Sequence, residues 1–160
     1  MRVVIAAVGR LKDGPERGIT ARYLDRVTQI GRNVSLGPIE IIEVSESRAR
    51  RPQDRMAEEA LALRAAAGTQ TPFATLDERG RALSSAGFAE DMARRRDNGC
   101  SVFGFMIGGA DGLSPDLVRT AEFSLAFGGM TWPHQFVRMM LAEQIYRATT
   151  ILAGHPYHRA

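Results

Sequence analysis

A chain of 160 residues is long enough for one compact domain with a substantial core, and 44% apolar against 24% charged residues excludes a disordered, collagen-like or disulfide-stapled chain. With a net charge of +3 and 20 arginines among 21 basic residues, the chain is mildly basic. Arginine's planar fork suits phosphate and base contacts, although codon usage explains the same bias equally well. Cys100 is the only cysteine, which excludes an intrachain disulfide and a multi-thiolate metal site and predicts a buried thiol in a reducing, cytoplasmic setting.

Met1 to Arg10 is an apolar run too short for a secretory leader, and Val3 to Val8 reads as a first strand. Ile19, Tyr23, Val27 and Ile30 recur at helical spacing and predict a first helix. A second strand is expected over Ile39 to Val44, and a second helix carries the stripe Met56, Ala60, Leu63 and Ala67. Phe73 to Leu76 is a third short strand, followed by a loop from Leu76 to Gly80. Ser84 or Ser85 caps a third helix that stops at Gly99. Its last turn holds Arg94, Arg95 and Arg96 where the helix dipole favours cations, and a solvated face is the plain reading of that triplet. Val102 to Ile107 is a fourth strand. Ser114-Pro115-Asp116 supplies an N-cap, a proline at the first helical position and a first-turn acid, predicting a short helix to about Ala121. A short fifth strand lies around Phe123 to Phe127. The last helix, Pro133 to Leu152, has apolar residues in almost every direction around its axis, so it is expected to be buried nearly all round, with the sheet on one side and a second subunit on the other. Nowhere do 18 apolar residues run together, and no membrane contact is expected.

Strands alternating with helices predict a single α/β domain over 1–160, a mostly parallel sheet with helices on both faces. Ligand sites in such sheets lie outside the carboxyl ends of the strands. Three loops meet that description: Leu76 to Gly80, Ile107 to Gly112 and Gly128 to Pro133. Gly108, Gly109 and Gly112 let the main chain approach a ligand closely, and a valine at Gly109 is expected to fill the ligand's space. The pattern matches neither the dinucleotide fingerprint nor the P-loop, which disfavours a phosphate-cradling nucleotide enzyme. His134, His155 and His158 lack the spacing and companions of a metal site, so no metal is expected. As acid–base groups they matter more, because His155-Pro156-Tyr157-His158-Arg159 gathers two imidazoles, a phenol and a guanidinium, and its rings favour docking of the tail over fraying.

The chain resembles the SPOUT methyltransferases, and within them the group that methylates N(3) of a pseudouridine in 23S ribosomal RNA. The residues that carry the resemblance are Val8-Gly9, Ile42-Glu43-Val44, Thr75-Leu76-Asp77, Ile107-Gly108-Gly109 with Gly112-Leu113, Thr131-Trp132-Pro133-His134, Val137-Arg138, Glu143 to Ala148 and the tail Tyr157-His158-Arg159. It implies a C-terminal trefoil knot, a rare exception among folds. It implies S-adenosylmethionine as methyl donor, bound in bent form through Leu76, Gly109, Gly128, Gly129, Met130, Thr131, Trp132 and Pro133. It implies a homodimer through the last helix, acting on ribosomal RNA within the large subunit or the assembled ribosome. Removing the imide proton needs a base or relay, for which His158 and Tyr157 are candidates, with Arg147 and Arg159 stabilising the developing imidate or a flanking phosphate, Arg138 structural or RNA-facing, and Glu143 either orienting Arg147 or forming a purely structural ion pair with it. A non-catalytic RNA-binding or ribosome-assembly factor of the same fold, and a SPOUT enzyme for another RNA, are the competing readings.

Overall fold

The computed structural model describes residues 1–158 of the chain, so Arg159 lies outside the described residues. Strands β1 (Arg2–Val8), β2 (Ile39–Val44), β3 (Phe73–Ala82), β4 (Val102–Ile107) and β5 (Phe123–Ala126) alternate with helices α1 (Pro15–Gly31), α2 (Pro52–Ala67), α3 (Ser85–Asp97), α4 (Pro115–Thr120) and α5 (His134–Leu152). The strands form one five-stranded sheet in the order β2-β1-β4-β3-β5, with every pairing parallel. Prolines open α1, α2 and α4, where the missing N–H has no partner to lose.

Right-handed crossovers decide which face each helix covers. The chain moves one way along the sheet from β1 to β2 and from β3 to β4, placing α1 and α3 on one face; it moves the other way from β2 to β3 and from β4 to β5, placing α2 and α4 opposite. Two cores follow. Val3, Ile5, Phe103, Phe105 and Leu125 pack beneath Val27 of α1, Phe88 and Met92 of α3 and Leu141 and Ile145 of α5. Val4, Ala6, Val8, Phe73 and Met106 pack on the other face with Leu63, Ala67 and Leu117. Side chains alternate between the faces along β1, and both faces are dry, so the run reads as continuously apolar.

Three expectations need correction. The segment after Leu76 is no simple loop: β3 bulges between Leu76 and Arg81, both of which stand opposite Leu125, and then resumes pairing with β5 through Ala82 and Ala126. Polar residues hid this extension. The bulge rejoins β5 at Gly80, where a Cβ would come within 2.6 Å of the Ser124 carbonyl group, so only glycine permits the approach. In the Arg94-Arg95-Arg96 triplet, Arg94 alone is solvated: Arg95 is 13% exposed, lies 4.1 Å over the Phe103 ring and pairs with Asp91 and Glu122, while Arg96 donates to the Val34 carbonyl. Lastly, α1 and α3 flank α5 within the same chain, so much of the burial ascribed to a second subunit is internal. Cys100 is half-buried, its thiol donating to the Val102 carbonyl. No helix of the described residues is long and apolar enough to cross a membrane.

Candidate active site

The loops after β4 and β5 and the bulge of β3 converge on a cleft of about 830 Å³, within the size range of small-molecule sites. Its walls are Leu76 to Arg79 from the bulge, Ile107 to Leu113 from the loop after β4, and Leu125 to Gly128 with Met130 to Pro133 from β5 and its loop; Met56, Pro115, His134 and Val137 complete it. Of the residues expected at a cofactor, Leu76, Gly109, Gly128, Met130, Thr131, Trp132 and Pro133 line this cleft, and Gly129 does not.

The loops are held from behind. Arg55 of α2 grips Asp111 in a fork, with Nε to Oδ2 at 2.6 Å and Nη2 to Oδ1 at 2.9 Å, and Gly109 and Gly112 close the loop as an isolated bridge. A Cβ on Gly108 would lie 2.7 Å from the Gly112 carbonyl group, which explains that glycine sterically. Thr131 donates its hydroxyl to Glu78, and Trp132 Nε1 donates to the Phe127 carbonyl at 3.3 Å, tying the third loop to the bulge and to itself. Asp77 is pulled two ways: burial pushes its carboxyl up, but hydrogen bonds from the Arg79 side chain and backbone N–H outweigh burial and hold it below the usual carboxylate range.

At Gly109 a Cβ would point away from the cleft, to 3.0 Å from Val8 and 3.2 Å from Glu59 Oε2, so a side chain there invades the protein and not the ligand's space. Among the glycines of the cleft wall, Gly112 and Gly128 have φ angles of +83° and +104° and Cβ positions that meet nothing within 4 Å. Both combine left-handed backbone with free space, a cradle a ligand can enter without meeting side chains.

Two residues buried behind the cleft walls escaped sequence reasoning in part. Glu59 is 6% exposed, accepts from the Ser47 backbone N–H at 3.0 Å and leaves Oε2 unpartnered behind Gly109. Its place beside the apolar stripe of α2 was the only signal, and nothing in that spacing distinguishes it from a surface acid. Arg138 is fully buried and donates to Glu43 Oε1 at 3.0 Å and to the carbonyls of Val8 and Gly9, the latter at 2.9 Å. It pins α5 to the ends of β1 and β2 and is structural, which removes the RNA-facing alternative. His134 lines the cleft one turn earlier on α5; burial and the Arg138 charge lower its pKa, against a smaller opposing effect of Glu46.

The tail forms a second cluster on α5. The Tyr157 ring packs edge-on against Tyr146 with centroids 4.7 Å apart, and its hydroxyl donates to Glu143 Oε1 at 3.2 Å. Arg147 lies 5.0 Å over the same ring and donates to Glu143 at 2.5 Å, the i, i+4 pairing expected from sequence. Burial, hydrogen bonding with Tyr23 and the Glu143 charge push the Tyr157 phenol well up, so it stays protonated. His158 is half-buried, and its Nδ1 meets no hydrogen-bond partner among the described residues. Arg147 and Tyr157 thus come together around Glu143, and neither they nor His158, the residue after Tyr157, line the cleft of their own chain.

The family described as "Predicted SPOUT methyltransferase" matches residues 1–158. A protein from Nitrobacter winogradskyi named "Ribosomal RNA large subunit methyltransferase H" is 56% identical over 159 residues, covering 99% of each chain. A protein of the same name from Xanthobacter autotrophicus is 56% identical over 160 residues and all of both chains. Among solved structures, a probable methylase family protein from Haemophilus influenzae shares the fold with a TM-score of 0.52 at 11% identity, over 99% of this chain and 70% of that one. A match from end to end, on a parallel sheet whose three converging loops build the cleft, places the chain in the SPOUT methyltransferase family, to which it belongs.

Proposed function

We propose that the chain is an S-adenosylmethionine-dependent methyltransferase of large-subunit ribosomal RNA, acting at N(3) of a pseudouridine in the cytoplasm, as a homodimer paired through α5. The carrying observation is the cleft: the bulge of β3 and the loops at the carboxyl ends of β4 and β5, glycine-cradled and clamped, in a chain whose full-length relatives bear the name of a large-subunit ribosomal RNA methyltransferase. The residues present fit the methyl donor. Leu76, Ile107, Leu125 and Phe127 offer apolar walls for a flat heterocycle, while Gly112 and Gly128 leave main-chain groups accessible. When bound, S-adenosylmethionine supplies an electrophilic methyl group, and the protein's tasks are alignment and disposal of the imide proton. The return of α5 from the edge strand β5 to lie between α1 and α3 supports the threading of the C-terminal segment as a trefoil knot.

The tail cluster supports the dimer. Arg147, Tyr157 and His158 stand apart from their own cleft, so a partner paired through α5 is the route by which they reach a reacting base. There the protonated Tyr157 serves as a hydrogen-bonding relay, the unpartnered His158 imidazole as acceptor, and Arg147 with Arg159 as countercharge to the developing imidate. Calorimetry with S-adenosylmethionine and mass spectrometry of ribosomal RNA from cells with and without the gene test the whole reading. Heat of binding and one methyl mark lost on deletion are expected; an unchanged modification map overturns it. Removing Tyr157 to Ala160 should leave cofactor binding near wild type while lowering methyl transfer to ribosomes by roughly the 10²–10⁴-fold range of lost acid–base catalysis.

A further inference from the structure

We infer that the loops following β1 and β2 form a binding surface for RNA phosphates beside the cleft, with Arg10, Lys12, Arg48 and Arg50 as its contacts. The proposal rests on the reading of this protein as an RNA methyltransferase and assigns the place where the RNA backbone lies. Residues 9–14 and 45–55 contain six cations against three acids, a net +3 that equals the net charge of the entire chain. The positive charge of the protein is therefore concentrated at one edge of the sheet, while the remainder is neutral in sum.

Within that edge two of the three acids are paired, and four of the six cations are not. Asp13 pairs with Arg17 and Asp54 with Arg51, Arg55 is taken by Asp111, and Glu46, beside Gly9, is the one acid of the edge with no ion pair among the described residues. Arg10, Lys12, Arg48 and Arg50 are all exposed, and among the described residues they make neither an ion pair nor a side-chain hydrogen bond. Most arginines elsewhere are paired, stacked on rings or bound to carbonyls; Arg22 and Arg32 are exposed without an ion pair but stand singly along and after α1.

The two loops leave the sheet side by side. Val8 and Val44 are in register, the Gly9 backbone N–H donates to the Val44 carbonyl at 2.8 Å, and that of Leu11 donates to Glu43 at 2.6 Å. The second loop is also bolted to the cleft wall. Arg55 Nη1 donates to the carbonyls of Ala49 and Arg50 at 3.1 and 3.0 Å, while the rest of the same guanidinium holds Asp111. One side chain thus fixes the distance between the basic loop and the glycine loop that lines the cleft. An RNA strand lying along the basic loops has a neighbouring nucleotide within reach of the cleft, and phosphate contacts of this kind position a substrate without reading its sequence. Anionic membrane is the weaker match, because the exposed large apolar residues, Leu61, Met130, Trp132 and Phe136, lie outside these loops.

The test compares the full-length protein with Arg10→Gln, Lys12→Gln, Arg48→Gln and Arg50→Gln, singly and combined, for binding to purified ribosomes across a potassium chloride series. Thermal melting and S-adenosylmethionine calorimetry report folding and the cleft; the single variants decide the matter if the combined one folds poorly. We expect cofactor affinity to stay at the wild-type level, the log–log salt slope to fall by about 0.7 to 0.9 per lost contact, and ribosome affinity of the combined variant to drop roughly tenfold or more. A combined variant that keeps wild-type affinity and slope overturns the proposal, as does binding that persists on ribosomal proteins stripped of RNA or on anionic vesicles but not on RNA. Methyl transfer by the wild-type protein is scored separately, so the surface can fail while the enzymatic reading stands.

Discussion

At the scale of single residues, Arg138 shows how a charge can serve the fold. Its guanidinium is sealed between α5 and the ends of β1 and β2, where burial lowers its pKa but Glu43 and two carbonyls satisfy most of its donors. Replacing it with leucine removes the cation, takes the Arg138 donor from both carbonyls and leaves Glu43 with the Leu11 N–H alone, so Arg138→Leu should cost about 3–5 kcal/mol in urea unfolding. His134 makes a pH prediction. Its folded pKa lies below the ordinary value of about 6.5, because burial and Arg138 disfavour the imidazolium. The unfolded chain therefore binds a proton that the folded protein resists, and stability should fall as pH drops from about 6.5 through the folded pKa, with no effect above it. Melting temperature against pH should show this decline in the wild type and a shallower one in His134→Gln. The cleft glycines separate by direction: Gly128→Val should abolish S-adenosylmethionine binding in calorimetry, because the side chain enters free space at the cleft on a positive-φ backbone. Gly109→Val, whose side chain collides with Val8 and Glu59, should instead destabilise the fold by about 1–3 kcal/mol.

At the scale of elements, caps and clamps set where the loops stand. Ser84 caps α3 by accepting from the Gly87 backbone N–H, and Ser114 caps α4 through Leu117 in the same way, both as the residue types imply. The Arg55–Asp111 fork joins α2 to the loop after β4 across 56 positions of sequence, and no local pattern announces it. Its partners are 27% and 28% exposed, so its contribution to global stability is small, and its effect belongs to the loop it orders. Arg55→Ala should weaken S-adenosylmethionine binding about 5- to 50-fold while shifting the melting temperature little; unchanged calorimetry would show that the glycine loop holds its shape alone.

At the scale of the whole molecule, α5 carries both packing and association. Leu141, Ala142, Ile145 and Ala148 are buried within the chain, whereas Met139 and Met140 are half-buried beside Ile19 and Tyr23 along an apolar groove of about 610 Å³. A charge at Ile145 strikes the internal core, and Ile145→Glu should unfold the protein. Met140→Glu should instead leave a folded chain that sediments as a monomer. A monomeric wild type at micromolar concentration would refute pairing through α5 and, with it, the route by which the tail reaches a cleft.

The sequence by itself determined the order and type of the five strands and five α-helices, because continuous apolar runs, helical stripes, serine caps and first-turn prolines are local signals that tertiary packing reinforces here. Glycine placement likewise marked two of the three loops that meet at the cleft. The second half of β3 was illegible, since beyond the bulge it has left β4, keeps polar side chains and is defined only by its pairing with β5. Tertiary structure alone decided that Gly109 faces Val8 and Glu59 while Gly128 faces open space at the rim of the cleft, because a glycine carries no side chain whose polarity could report direction. It also decided that Arg138 is buried and Arg48 exposed. Both are arginines in the sequence, and what separates them is whether the fold places acceptors within reach of the guanidinium.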